Sequence, residues 1–162
     1  MTEGLLSVLT LLAALGSGLI GGVFFAFSTF VMKALSRRPA AEAVAAMQSI
    51  NIVVINPWFM AAFLGTAALC LLLAVLAFTQ GPALALPRIL AGAALYAVGT
   101  FGVTMVFNVP RNNRLARMQP ASAEAAAYWP RYVAEWTGWN HLRTIAALAA
   151  SAAFMLALFG ID

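Results

Sequence analysis

Four long runs of apolar residues, joined by stretches that hold nearly all the charged side chains, constrain this chain more than any other feature. Of its 162 residues, 64% are hydrophobic and only 9% are charged, whereas charged residues make up roughly a quarter of a soluble domain. A helix needs about 20 apolar residues to cross the hydrocarbon of a bilayer. We therefore predict an all-α integral membrane four-helix bundle, a single domain over residues 1–162. The predicted spans are residues 5–32, 57–78, 88–109 and 139–159.

The basic residues predict how these spans are oriented. The loops after the first and third spans hold nearly all the lysines and arginines, while the opposite side has essentially Arg88 alone. Because positive residues favour the cytoplasmic side, we expect both long loops in the cytoplasm and both termini outside, in a membrane of the bacterial inner-membrane type. The formal charge of +4 does not indicate nucleic-acid binding, since the basic residues flank apolar spans instead of forming a patch on a soluble surface.

The connections between spans also carry local signals. The turn residues Gly81 and Pro82 predict an antiparallel hairpin of spans two and three. Residues 39–55 and 121–135 have helical patterns and are expected to form short amphipathic or interfacial helices in the two long loops. Asn56 followed by Pro57 is typical of an N-cap and a first helical position.

Small residues recur at intervals of four along the first span: Ala14, Gly18, Gly22 and Ala26. Small side chains on one helical face let another backbone approach closely. Because the chain must assemble four spans of its own, packing within the bundle is favoured, and a homo-oligomer stays open.

Two short polar runs stand out because polar groups within a membrane are costly unless they pair or have a function. In the first, Asn108 and Asn112 flank Pro110 at the end of the third span. Proline lacks an N–H and disfavours helix at the preceding residue, so the span is expected to end or unwind here. The two amides either bond carbonyls that the break frees or meet a ligand in a cavity.

The second run begins the fourth span. At about 100° per residue, four of its side chains form one helical stripe: Trp136, Trp139, Asn140 and Arg143. Tryptophans also suit an anchor at the membrane interface, but an arginine inside a span requires pairing or a path to the interface. His141, the only histidine, points roughly 140° away from the centre of the stripe, and a kink at Gly138 would be needed to bring it in line.

These clusters are expected to converge. Because the spans alternate in direction, Asn56 at the start of span two and the two polar runs lie at one depth, on the cytoplasmic side. Three polar clusters from three helices predict a site there. The sequence has no HxxH or ExxH motif, carboxylate cluster, Gly-rich phosphate loop or serine triad signature. No metal or cofactor is expected, although a haem held by the one histidine stays open.

The pattern Asn-x-Pro-x-Asn at 108–112, followed by Trp-x-x-x-Asn-x-x-Arg at 136–143 with His141 beside its Asn, resembles a known family. It is the DUF1772 family of small four-span membrane proteins, often labelled anthrone oxygenase-like. The resemblance covers nearly the whole chain, including the Gly-rich first span and Asn56-Pro57. Fungal members are associated with the oxidation of an anthrone to an anthraquinone by molecular oxygen, without a metal or flavin. The resemblance thus implies a cofactor-independent oxidoreductase that acts on a polycyclic aromatic.

On that basis the site residues receive hypothetical roles. His141 takes a proton from the substrate, or Asn140 orients a water molecule that does so, while Arg143 stabilises the oxyanion. The expected substrate-binding set is Asn56, Asn108, Asn112, Trp136 and Trp139. Two alternatives stay open. One is a binding or carrier protein for an apolar aromatic metabolite, a quinone or a lipid, and the other is a structural membrane protein with a filled helix interface.

Overall fold

The structure is a computed structural model that describes residues 3–161, and in that range it is helical with no strand. Its five helices are α1 (Gly4–Leu35), α2 (Ala40–Val53), α3 (Pro57–Gln80), α4 (Leu86–Ala116) and α5 (Ala123–Leu158). All except α2 are long and apolar enough to cross a membrane. The protein is therefore an integral membrane four-helix bundle, as its composition predicted.

The four long helices form a closed ring of neighbours. α1 contacts α5 and α3, and α4 contacts α5 and α3. The short connection after α3 makes α3 and α4 an antiparallel hairpin, as Gly81 and Pro82 predicted. These two helices touch near the hairpin and separate towards their other ends, where α2 packs against α4 and α5. That separation leaves room for a site inside the bundle.

The expectation that the third span ends or unwinds at Pro110 is wrong, because α4 continues without a break to Ala116. The turn before the proline, Thr104–Asn108, is π-helical, and so is the segment Leu95–Gly102. A π-helical turn is wider than an α-helical one, so it accommodates a residue without an N–H whose ring would otherwise clash with the preceding turn. Asn108 consequently lies inside a helix and not at a helix end.

The second long loop also differs from expectation. The predicted interfacial helix at 121–135 and the fourth span are one continuous helix, α5, with Pro130 inside it and no interruption at Gly138. Tertiary packing explains the continuity. Tyr128, Trp129 and Tyr132 are buried against α2 and the end of α4, and this burial fixes the first half of α5 in line with the second. The aromatic and polar side chains of the stripe therefore follow one uninterrupted helical register.

The helix α2 closes one end of the bundle. Gln48 Nε2 donates hydrogen bonds to the carbonyl oxygens of Leu115 (2.8 Å) and Met118 (2.9 Å), which fasten α2 to the end of α4. After α2, Asn56 caps α3, since its Oδ1 accepts a hydrogen bond from the Phe59 amide at 3.0 Å. The N-cap prediction is confirmed.

The small residues of α1 bring it close to α5. Ser151 Oγ donates a hydrogen bond to the carbonyl of Ala14 at 2.8 Å, and a Cβ added at Gly18 would lie 3.2 Å from the same Oγ. Gly22 belongs to the same series of four but faces open space. Close packing within the bundle therefore holds for Ala14 and Gly18 and not for Gly22.

Two adjacent glycines provide a test of this interface. A Cβ at Gly21 would lie 2.8 Å from Leu148 Cδ2 and 3.3 Å from its backbone nitrogen, whereas a Cβ at Gly22 meets nothing within 4 Å. Gly21→Val is expected to lower the free energy of unfolding by about 1–3 kcal/mol through overpacking. Gly22→Val has the same helix propensity change and should have little effect. Thermal unfolding in detergent, followed by circular dichroism, would contradict the contact if both variants melted together.

Candidate functional site

A cavity of about 730 Å³ lies where α3 and α4 separate, beneath α2. Its volume falls within the range of about 300–1,000 Å³ that is common for small-molecule sites. All five helices contribute to its wall, which is mainly apolar. Aromatic side chains form a large part of it: Phe24, Phe27, Phe59, Phe63 and Trp136. A purely structural role predicts a filled interface, and this interface is not filled.

Arg143 is the one cationic side chain among the residues that line the cavity, and it is only 5% exposed. Its Nε donates a hydrogen bond to Asn140 Oδ1 at 2.9 Å, and its Nη1 donates to Thr104 Oγ1 at 3.2 Å. The guanidinium carbon lies 3.8 Å from the ring centre of Phe24 and 4.9 Å from that of Trp136. Both rings stabilise the cation through their π faces.

No carboxylate forms an ion pair with Arg143 among the residues that the structure describes. Two neutral oxygens and two aromatic rings hold this cation in a largely apolar setting. Removing a charge from water is expensive, and neutral partners offset only part of that cost. An anionic or strongly polarised oxygen in the cavity would therefore be stabilised at Arg143.

Asn140 fixes the position of Arg143 without lining the cavity itself. It is fully buried, and its Nδ2 donates hydrogen bonds to the carbonyl of Phe24 at 2.8 Å and to Ser28 Oγ at 2.6 Å. Ser28 belongs to a π-helical turn of α1, Phe27–Val31. The Asn140 amide thus bonds to α1 through Nδ2 and to Arg143 through Oδ1. Asn140 itself does not line the cavity. Its geometry suits positioning of Arg143 better than orienting a water molecule.

Asn112 supplies a second polar group to the cavity wall. Its Oδ1 accepts hydrogen bonds from Tyr132 OH at 2.9 Å and from Trp136 Nε1 at 2.8 Å. Two donors on one oxygen fix the orientation of the amide, which leaves Nδ2 as a free donor. The π-face of Trp136 contacts Arg143 while its Nε1 donates to Asn112, so one indole contacts both polar groups.

Five of the predicted site residues do not line the cavity, Asn140 and four others. Asn108 is buried and its Nδ2 donates to the carbonyl of Trp136 at 3.1 Å, which joins α4 to α5. Trp139 stacks on Phe107 with ring centres 3.6 Å apart, and Asn56 is the cap of α3. His141 is exposed in a separate shallow groove between α1 and α5, as its helical phase indicated. The kink at Gly138 that would be needed to bring it in line is absent from α5.

The predicted site set lacked four polar residues of the cavity wall: Gln48, Asn51, Thr104 and Asn113. Thr104 lies one helical turn before Asn108 on the same face, and that spacing was a usable signal. Asn51 interrupts an apolar sequence between Ile50 and Ile52 at the end of α2, and its Nδ2 is buried with no hydrogen-bond partner. Within residues 3–161, no three His, Cys, Asp or Glu side chains come together as a metal site.

A sequence model of the family described as anthrone oxygenase matches residues 58–153, more than half of the chain. The chain belongs to the anthrone oxygenase family. The matched region begins one residue into α3 and ends near the end of α5. It therefore includes four polar residues of the cavity wall: Thr104, Asn112, Trp136 and Arg143. Comparisons with curated proteins and with solved structures find no match.

Proposed function

We propose that this protein is a membrane-embedded, cofactor-independent oxygenase that oxidises an anthrone-type polycyclic aromatic inside the cavity. The observation that carries the proposal is the buried guanidinium of Arg143, which forms no ion pair with a carboxylate among residues 3–161 and lines a mainly apolar cavity of about 730 Å³. Membership of the anthrone oxygenase family supports the reaction class. For the topology, we propose that the cavity end faces the cytoplasm, because the connections at that end hold most of the lysines and arginines.

The first step is loss of a proton from the substrate. The CH₂ group of an anthrone lies between two aromatic rings that conjugate it with the ring carbonyl, so the resulting negative charge appears on that oxygen as a phenolate. Arg143 and Asn112 Nδ2 are donors that stabilise this oxygen in a setting of low polarity. The lining residues include no carboxylate and no histidine, so the proton passes to a water molecule at the open mouth, near Asn113.

The second step uses molecular oxygen as the oxidant. The anionic substrate carbon transfers an electron to O₂ and then forms a C–O bond, which gives a peroxide. The peroxide takes up a proton, the carbon loses its second hydrogen as a proton, and the O–O bond breaks to release water. One oxygen atom remains as the new carbonyl of the quinone and the other leaves in water. The rings of Phe24, Phe63 and Trp136 line the space that holds the planar substrate.

Aerobic turnover by purified protein in lipid vesicles tests the proposal. Quinone formation should match oxygen uptake one to one, and one atom of ¹⁸O₂ should appear in the quinone carbonyl. The rate should exceed that of protein-free vesicles by at least about a hundredfold, the smaller end of what positioned catalytic groups contribute. A carrier would bind the aromatic saturably without extra oxygen uptake. Activity that chelation abolishes and an added metal restores would contradict the cofactor-independent mechanism.

A further inference from the structure

We propose that the substrate reaches the cavity from the hydrocarbon phase of the bilayer, through the gap between α3 and α4. This inference rests on the proposed function for the identity of the substrate and adds its physical class. That class is an uncharged planar aromatic compound which dissolves in lipid, as opposed to a conjugate that carries a charge or a sugar. Molecular oxygen is also apolar and dissolves well in hydrocarbon, so the same gap admits both reactants.

The mouth of the cavity can be located from side chains that line the cavity and are also exposed on the outer surface of the protein. Met105 on α4 and Ile55 before α3 line the cavity, yet they are 48% and 71% exposed on the outside of the protein. Met105 belongs to α4 and Ile55 directly precedes α3, the two helices that separate at this end of the bundle. The cavity therefore opens sideways, between two membrane-spanning helices.

The depth of this mouth follows from the rise of α4. Met105 lies within the apolar part of a helix that is able to cross the membrane. Ala116, which also lines the cavity, follows eleven residues later, about 16 Å further along the axis at 1.5 Å per residue. The mouth thus extends from the hydrocarbon region towards the interface. The neighbouring outer surface is apolar, with Val106 62% and Trp58 87% exposed.

The end of the bundle that faces water is partly covered, since the exposed residues Asn113 and Ala116 also line the cavity there. There α2 places Met47, Gln48 and Asn51 over the cavity, and Gln48 ties it to two carbonyls at the end of α4. The sideways mouth is not crossed by any side-chain hydrogen bond between α3 and residues 104–116 of α4, among the residues that the structure describes. Met60, Met105 and Val109 line it, and methionine side chains adapt their shape readily. A charged conjugate would have to cross this apolar mouth, which is costly.

Spin labels on α4 test this route in phosphatidylcholine vesicles. Cysteine is introduced at Met105, Val106 or Ala116 in a Cys70→Ala background, since the single native cysteine is buried. The Met105→Cys label should relax through collisions with O₂ in the hydrocarbon and not with a water-soluble nickel chelate. Anthraquinone, a planar probe that does not react further, should immobilise that label. The matched Val106→Cys label, exposed but outside the cavity wall, should meet O₂ equally and remain mobile with anthraquinone.

Access of the nickel chelate to the Met105→Cys label would overturn the inference, and so would immobilisation confined to Ala116→Cys, which indicates an interfacial route. Equal immobilisation at Met105→Cys and Val106→Cys would show nonspecific partitioning and overturn it too. The readout needs no turnover. If anthraquinone immobilises the Met105→Cys label while no anthrone is oxidised, the oxygenase proposal fails and the lipid route stands.

Discussion

Replacing Arg143 with methionine is expected to lower kcat for anthrone oxidation about 10²–10³-fold, the usual loss when one donor to a developing oxyanion is removed. Methionine keeps much of the length and apolar contact of the side chain. It removes the guanidinium that Asn140 and Thr104 hold at the cavity wall. The loss should appear in kcat more than in KM, because the negative charge on the substrate oxygen arises only during the reaction.

The same substitution should not lower the thermal stability of the protein. Replacing buried charges by apolar side chains is often neutral or stabilising, and the severe cost arises when the partner left behind is itself charged. Here Arg143 leaves only neutral partners, the oxygens of Asn140 and Thr104. The variant is therefore expected to lose activity without losing stability, as is usual when a buried charge is retained for function.

Two further variants complete this test. Arg143→Lys keeps a positive charge, but one ammonium group does not reproduce the planar fork that contacts two oxygens and two rings, so its kcat should fall between those of wild type and Arg143→Met. Arg117 is exposed at the same end of the bundle and does not line the cavity, so Arg117→Met should retain wild-type turnover. A folded Arg143→Met variant with full kcat would refute the oxyanion role.

The second large effect is expected at Asn140. Asn140→Leu removes the acceptor that fixes Arg143 Nε and the donor that reaches α1 at Phe24 and Ser28. The guanidinium then moves, and because misplacing a catalytic group by about 1 Å costs up to about 10²-fold in rate, kcat should fall at least about tenfold. Binding of anthraquinone, followed by equilibrium titration, should change little, since Asn140 does not line the cavity.

A neighbouring threonine provides the matched control for Asn140. Thr144 is similarly buried on the next turn of α5 and also contacts Ser28, at 3.1 Å between the two hydroxyl oxygens. It makes no hydrogen bond to Arg143, so Thr144→Val should lose the Ser28 contact and keep most of the turnover. Equal losses of kcat in both variants would indicate that Asn140 acts through general packing and not through Arg143.

The polar site was only partly predictable. Helical phase alone separated Arg143 from His141, and the structure places them on different faces of α5 as that phase required. The same reasoning grouped Trp139 with Trp136, yet Trp139 stacks on Phe107 outside the cavity. Asn108 was also expected at the site, but its amide joins α4 to α5. A sequence pattern gives the direction of a side chain from its helix, and which neighbour it meets there depends on how the helices approach each other.

The sequence by itself determined the membrane-spanning bundle, because four apolar segments of that length have no stable place in water. It also determined the N-cap at Asn56, which depends on contacts within a few residues. Only the tertiary structure decided that α4 passes Pro110 through a π-helical turn and that α5 is one continuous helix, because burial against other helices outweighs the local preference to break. The separation of α3 from α4, and with it the cavity that exposes Arg143, likewise depends on contacts between residues far apart in the chain.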